Sequence, residues 1–77
     1  MDIMETIRSR YSEVSSVQKR IADYCLEHPD KASFQTLREF AQTTHTTDAT
    51  VLKFCRNMGY HGFLAFRRQL QEYVRMR

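Results

Sequence analysis

The chain of 77 residues has the size of one small domain and leaves no room for a second domain with a substrate pocket. Its 42% hydrophobic content excludes an intrinsically disordered protein. Only two glycines and one proline interrupt it, which favours a few helices over many short strands. The net charge of +3 is uneven: residues 1–52 carry six Lys and Arg against eight Asp and Glu, and residues 53–77 carry six against one. The basic character of residues 53–77 is compatible with a polyanionic partner for this part of the chain, and it is equally compatible with a solvated helix face.

Two helices are predicted before Pro29. The first covers about residues 2–12, with apolar side chains on one face at Ile3, Met4, Ile7 and Tyr11. The second begins after Ser15, an N-cap for which Gln18 is the return arm of a capping box. Its predicted apolar stripe comprises Val17, Ile21, Tyr24, Cys25 and His28. Pro29 ends this helix, and residues 30–33 leave room for one further helical turn.

Three more helices are predicted after residue 35. Thr36 and Glu39 form a second capping box that opens a short third helix. Thr47 or its neighbour caps a fourth helix running to Met58, and Gly59 suits the left-handed position beyond a helix C-terminus. The fifth begins near Gly62. The predicted inward residues of the third and fifth helices are Leu37, Phe40, Ala41, Phe63, Phe66, Leu70 and Tyr73.

Two short capped helices joined by about four residues are typical of a helix-turn-helix. We therefore predict one all-α domain over residues 1–77, a compact bundle of about five helices of homeodomain-like class.

The fourth helix has the two faces that a DNA-reading helix needs. On a helical wheel its inward arc contains Asp48, Val51, Phe54, Cys55 and Met58. The outward arc contains Ala49, Thr50, Lys53, Arg56 and Asn57. Small residues near the N-terminus permit close approach to the major groove, and the basic ones can reach guanine acceptors or phosphates. Any amphipathic surface helix shows a polar face, so only the helix-turn-helix context favours DNA.

Several segments carry a resemblance to a known family, in order and without gaps: residues 18–24, 28–32, 36–41, 49–60, 62–63, 66–67 and 70. The most specific run extends from Ala49 to Phe63 and contains Phe-Cys-Arg, Gly-Tyr and Gly-Phe elements. From Ser15 onwards the chain thus resembles the N-terminal domain of the RpiR family of bacterial sugar-responsive transcriptional regulators.

The resemblance implies sequence-specific binding of a double-stranded DNA operator. Family members couple this domain to a C-terminal sugar isomerase-type domain that binds phosphosugars, and they act as dimers or higher oligomers on genes of carbohydrate metabolism. The chain has no counterpart of that second domain, so we expect it to be part of a longer regulator, with a short natural protein as the alternative. A phosphosugar effector would act only through the absent domain.

The resemblance also implies which residues contact DNA. The positions on and before the recognition helix are Thr47, Asp48, Ala49, Thr50, Lys53 and Arg56, to which the wheel adds Asn57. Contacts to the DNA backbone are expected from Thr36, His61 and Arg67. The Gly-Tyr and Gly-Phe pairs are interpreted as core and turn residues.

The turn departs from the family pattern at two positions. His45 stands where glycine is usual, and a left-handed conformation there costs about 1 kcal/mol. Thr46 stands where an apolar residue is usual and is expected to lose packing against the bundle. The turn is therefore expected to be looser or shaped differently from the family's, with its register open.

Other functions are less compatible with the sequence. Cys25 and His28 form only one short-spaced pair of possible metal ligands, and we expect Cys25 and Cys55 to be reduced core residues. No enzyme motif occurs, so we expect neither an enzyme nor a cofactor. The remaining alternative is a helical protein-interaction or dimerisation module, whose basic face binds an acidic partner.

Two expectations concern assembly and location. A bundle of this size is not expected to cover all of helix 1, which suggests a homodimer through Ile3, Met4, Ile7 and Tyr11. The N-terminus lacks the basic residues of a signal peptide, and the longest apolar run, residues 63–66, is far shorter than a membrane span. We therefore expect a cytoplasmic protein.

Overall fold

The computed structural model describes residues 2–77, so that Met1 of the predicted 1–77 domain lies outside the described residues. Over residues 2–77 it contains six α-helices: α1 (Ile3–Arg10), α2 (Ser16–Glu27), α3 (Pro29–Ala32), α4 (Leu37–Thr43), α5 (Asp48–Asn57) and α6 (Phe63–Met76). A 3-10 turn over Tyr11–Glu13 connects α1 to α2. The same residues contain no strand, and the predicted all-α class is confirmed.

Over the described residues the structure contains one helix more than the five predicted. The additional helix is α3, a segment for which the sequence indicated only a possible helical turn. Pro29 occupies its first position, where the missing proline N–H leaves no hydrogen bond unmade. The N–H of Ser33 donates to the Pro29 carbonyl at 3.0 Å and closes the turn. The first helix is also shorter than predicted, because the chain tightens into the 3-10 turn after Arg10.

Side-chain caps begin α2, α4 and α5 at the predicted residues. Ser15 and Thr47 accept the third backbone N–H of their helices at 3.2 Å, and Thr36 with Glu39 forms a complete capping box. The predicted capping box at Ser15 is wrong in its return arm. The side chain of Gln18 is turned into the protein, where its carbonyl oxygen accepts a hydrogen bond from Asn57.

All six helices contribute to one hydrophobic core. Its centre is an aromatic cluster in which the ring of Phe66 on α6 meets three others edge-on. The centroid distances are 6.4 Å to Phe40 of α4, 5.8 Å to Phe54 of α5 and 5.6 Å to Tyr60. Edge-to-face pairs of this kind add to the stabilisation from buried area. The two helices of the helix-turn-helix are therefore packed on a common support, α6.

Helix α1 corrects one expectation about assembly. Ile3, Met4 and Ile7 are 2%, 1% and 0% exposed within a single chain, because α1 packs against both α2 and α6. Tyr11 is half-buried, and its hydroxyl donates to the Asp23 carboxylate at 2.8 Å. The expectation that the bundle leaves these side chains uncovered for a second copy was wrong.

The predicted stripe of α2 is also shifted. Val17 and His28 were expected inside but are exposed, whereas Gln18 and Ala22 are buried beside Ile21. The buried face of α2 is thus rotated by about one residue from the predicted one. No helix among residues 2–77 combines the length and apolar character that crossing a membrane requires.

Candidate nucleic-acid interface

The turn between α4 and α5 is built on a left-handed residue. His45 has φ of +57°, and its N–H donates to the Gln42 carbonyl at 3.2 Å. The next N–H, of Thr46, reaches back to the Ala41 carbonyl at 2.9 Å. This pair of bonds is the Schellman motif, which satisfies the last carbonyls of a helix. His45 thus adopts the left-handed conformation in spite of its cost, and the turn keeps two backbone hydrogen bonds instead of the looser or different shape that was expected.

Thr46 is half-buried, and a polar contact takes the place of the apolar packing that the family pattern provides. Its hydroxyl lies 2.9 Å from that of Thr44, which is buried and donates to the Phe40 carbonyl at 2.9 Å. The two threonines thus pair their hydroxyls within the turn, so that neither buried oxygen lacks a partner.

The same motif ends α5. Gly59 has φ of +97°, and its N–H donates to the Arg56 carbonyl at 2.9 Å. The N–H of Tyr60 donates to the Cys55 carbonyl at 3.0 Å. Both helices of the helix-turn-helix therefore end in one backbone geometry, with histidine at the left-handed position of one and glycine at that of the other.

Helix α5 divides into a buried and an exposed face, as its wheel predicted. Val51, Phe54 and Cys55 are completely buried in the core, and Met58 is buried just beyond the helix. The exposed positions are Ala49, Lys53, Arg56 and Asn57, with Thr50 half-exposed at their edge. A helix of ten residues is about 15 Å long, and its diameter with side chains, about 10–12 Å, fits a major groove about 12 Å wide.

The two basic residues on this face are not engaged in ion pairs. Within residues 2–77 the ion pairs join Arg38 to Asp48 and Arg75 to Glu72. Lys53 and Arg56 therefore present their charges to solvent. The Arg38–Asp48 distance is 3.8 Å between exposed side chains, so the pair contributes little to stability but sets the Asp48 carboxylate beside a cation. The sequence analysis did not identify Arg38 as the partner of Asp48, although Arg38 lies on the exposed side of a capped helix.

Two threonines form the cap at the N-terminus of α5. The hydroxyl of Thr47 accepts the N–H of Thr50 and lies 3.0 Å from the Thr50 hydroxyl. Thr36, the corresponding N-cap of α4, is exposed. An exposed helix N-terminus favours a phosphate through its free N–H groups and its dipole.

Asn57 belongs to the exposed arc, but its polar groups are used inside the protein. Its side-chain amide donates to Gln18 Oε1 at 3.0 Å, and its backbone carbonyl accepts from Arg10 Nη1 at 2.7 Å. The structure therefore directs this amide towards α2. A wheel of α5 alone does not identify Gln18 or Arg10 as partners.

The three residues expected to contact the DNA backbone lie in two places. Arg67 donates to the Gln35 carbonyl at 3.0 Å, which holds its guanidinium next to the start of α4 and hence near Thr36. The same guanidinium lies 5.8 Å from the centre of the Phe63 ring. His61 is exposed in the connection between α5 and α6.

The two cysteines belong to the core. Both are free thiols, and burial raises the pKa of Cys55 to about 12 and that of Cys25 well above its ordinary value. His28 is exposed whereas Cys25 is fully buried, so the suggested metal pair does not share one environment. Within residues 2–77 no three His, Cys, Asp or Glu side chains come together as a metal site.

Comparisons with known proteins agree with this geometry. A family model described as the helix-turn-helix domain of the rpiR family matches residues 1–76. An HTH-type transcriptional regulator of Haemophilus influenzae is 35% identical over 69 residues, which cover 90% of this chain and 24% of that protein. The chain thus spans about a quarter of the length of this relative.

Two solved structures are similar to the whole bundle. The Vibrio vulnificus NanR protein, complexed with ManNAc-6P, has a TM-score of 0.93 and 35% identity, over 97% of this chain and 29% of that one. The N-terminal domain of the Bacillus subtilis regulator ybbH has a TM-score of 0.84 and 28% identity, over 90% of this chain and 84% of that one.

Proposed function

Since the chain belongs to the rpiR family of helix-turn-helix domains, we propose that it binds a double-stranded DNA operator in a sequence-specific manner, with α5 in the major groove. The observation that carries the proposal is the division of α5. Its inner face is locked in the core, while Ala49, Lys53 and Arg56 are exposed and the two cations have no ion pair within residues 2–77. Side chains on a helix held in this way approach base edges in a defined orientation.

Each exposed position of α5 has a proposed role. Ala49 and Thr50 permit close approach at the N-terminal end, where a threonine methyl can contact a thymine methyl. Lys53 and Arg56 bind guanine acceptors or phosphates. Thr47 and Asp48 begin the helix, whose N-terminus favours a phosphate.

Residues outside α5 contact the DNA backbone. We assign this role to Thr36 and Arg67, which lie near one another, and to His61 beyond α5. Asn57 contributes at the end of the helix through the second amide N–H and the amide oxygen that its bond to Gln18 leaves available.

The wider role follows from the relatives, of which this chain covers only a part. We propose that the domain acts as a homodimer in the cytoplasm, on genes of carbohydrate metabolism, and carries no catalytic activity. NanR is complexed with ManNAc-6P, so a sugar phosphate acting through a separate domain is the proposed effector. Since Ile3, Met4 and Ile7 fill the core of one chain, a dimer contact uses other side chains.

An NMR titration tests DNA binding. The labelled domain is titrated with a short generic duplex at low salt, and the amide shifts of every residue are followed. Shifts concentrated at residues 47–57 and 61–68 and reversed by salt are expected, because released counterions make DNA affinity fall with ionic strength. Shifts confined to α1, or none at low salt, would contradict the proposal and favour a protein-interaction module.

A further inference from the structure

We propose that Arg10, Gln18 and Arg20, which lie before the helix-turn-helix, are positioning residues that hold α5 at both of its ends for sequence-specific reading of DNA. This inference rests on the proposed function. The three side chains come from α1 and α2 and bond to Asn57, the last residue of α5, and to His45 in the turn that precedes α5.

Arg10 and Gln18 hold the C-terminal end of α5. Asn57 is the last residue of α5, so its carbonyl has no partner within the helix. Arg10 Nη1 donates to that carbonyl at 2.7 Å and places a positive charge at the negative end of the helix dipole. Gln18 Oε1 accepts from the Asn57 amide at 3.0 Å. One residue of α5 is thus bonded to two helices, across 47 and 39 positions of the sequence.

Burial makes the Gln18 contact significant. Gln18 is only 5% exposed, on the face of α2 that otherwise contributes Ile21 and Cys25 to the core. A buried amide is costly unless it is hydrogen-bonded. An apolar residue there would serve the core better, so the glutamine is explained by the contact that it makes with α5.

One side chain holds the N-terminal end. Arg20 Nη2 donates at 2.9 Å to the carbonyl of His45, the left-handed residue at which the chain leaves α4. Only Thr46 separates this residue from Thr47, the N-cap of α5. The hydrogen bond therefore ties the turn to α2, the helix whose Gln18 also bonds to Asn57.

Tethers at both ends oppose the motions that the core resists least. The packed core sets the overall orientation of α5, but apolar contacts are non-directional and resist small tilts and rotations less than directional hydrogen bonds do. Reading base edges requires side chains within roughly 0.5 Å and 10–20° of the productive geometry. Phosphate contacts are made by charges on long flexible stems and tolerate a looser helix. Loss of a tether is therefore expected to reduce discrimination between sequences more than overall affinity.

The experiment separates positioning from direct contact with DNA. Arg10 and Arg20 are exposed cations that a phosphate could reach, whereas Gln18 is neutral and buried. The principal variant is therefore Gln18→Met, with Gln69→Met on the exposed side of α6 as its matched control. Arg20→Ala, with Arg8→Ala as control, tests the other end at an exposed site where folding is preserved.

The probes are a pool of random duplexes of roughly 20 base pairs, two turns of DNA, and the duplex that the parent domain enriches most from it. The measured quantity is the ratio of the two dissociation constants, together with the salt dependence of binding to the pool. For Gln18→Met and Arg20→Ala we expect this ratio to fall about fivefold, the effect of one hydrogen bond, with pool affinity and salt dependence unchanged. Arg20→Lys, which keeps a donor, should recover most of the loss.

Two results would overturn the inference while leaving DNA binding intact. One is an unchanged ratio in both variants. The other is equal weakening on both probes by Arg20→Ala, with a salt slope smaller by about one and no effect of Gln18→Met, which identifies a direct phosphate contact. A parent domain that enriches no sequence contradicts the proposed function itself, and the inference with it.

Discussion

Replacing His45 with glycine is expected to stabilise the domain. The residue lies at φ +57°, in the left-handed region that disfavours side chains with a Cβ atom. Its role in the turn is carried by the backbone: its N–H bonds to Gln42 and its carbonyl accepts from Arg20. Both bonds survive removal of the exposed imidazole.

The magnitude follows from two opposing effects on the backbone. The left-handed conformation costs an L-residue about 1–2 kcal/mol, which glycine avoids. The greater conformational freedom of glycine in the unfolded chain lowers the free energy of unfolding by about 0.4–1 kcal/mol. The net gain for His45→Gly is therefore about 1 kcal/mol in the free energy of unfolding. In a domain of this size, that raises the Tm by roughly 4–8 °C.

Thermal unfolding followed by far-UV circular dichroism measures the change. The chain also allows the reverse substitution to be tested at an equivalent position. Gly59 occupies the equivalent position after α5, and a Cβ built there meets nothing within 4 Å. Gly59→Ala is therefore expected to lower the Tm by a similar amount through the backbone alone. His45→Ala, which retains a Cβ, should gain little. A His45→Gly variant with a Tm equal to or below that of the parent would refute the reasoning.

The remaining predictions concern the two faces of α5 and the buried thiols. Lys53→Ala and Arg56→Ala should each weaken DNA binding about tenfold with the Tm nearly unchanged; an Arg56→Ala variant that binds like the parent would show that the groove-facing arc is assigned incorrectly. Val51→Asp should cost about 3–5 kcal/mol, most of the stability of a domain this small, and abolish the helical circular dichroism signal at 25 °C; a folded variant would contradict the burial of Val51. Cys25 and Cys55 should resist thiol reagents at pH 8 until urea is added, and prompt labelling of the native protein would contradict their burial. Because burial raises the pKa of Cys55 from 9.0 to about 12, the unfolded chain ionises first, so stability should decline as the pH rises above about 9, which urea titrations across pH 7–10.5 would measure.

Local signals were sufficient for most of the fold. Capping residues at Ser15, Thr36 and Thr47 and the glycine after α5 predicted helix boundaries, because these side chains satisfy backbone groups only a few positions away. The division of α5 followed from its period, since one face is almost entirely apolar.

The incorrect predictions concern side chains whose burial or hydrogen bonding depends on a neighbouring helix. Val17 and Gln18 differ by only one position, and the direction from which α5 approaches α2 decides which of them is buried. Helix α1 was expected to stay partly uncovered, but α6 covers Ile3 together with α2. The bonds from Gln18 and Arg10 to Asn57 span 39 and 47 residues, a relation that no pattern within one helix contains.

The separation of buried and exposed positions along α5 has a consequence for divergence. Val51, Phe54 and Cys55 specify the fold, whereas Ala49, Lys53 and Arg56 lie at surface positions where substitutions usually change stability by less than about 0.5 kcal/mol. The two sets share no residue, so selection can act on one without disturbing the other. On the proposed assignment of the exposed set to DNA, related domains can change their operator preference at these positions without passing through unfolded intermediates. The same property makes this helix a suitable place to randomise when a small domain with altered DNA preference is wanted.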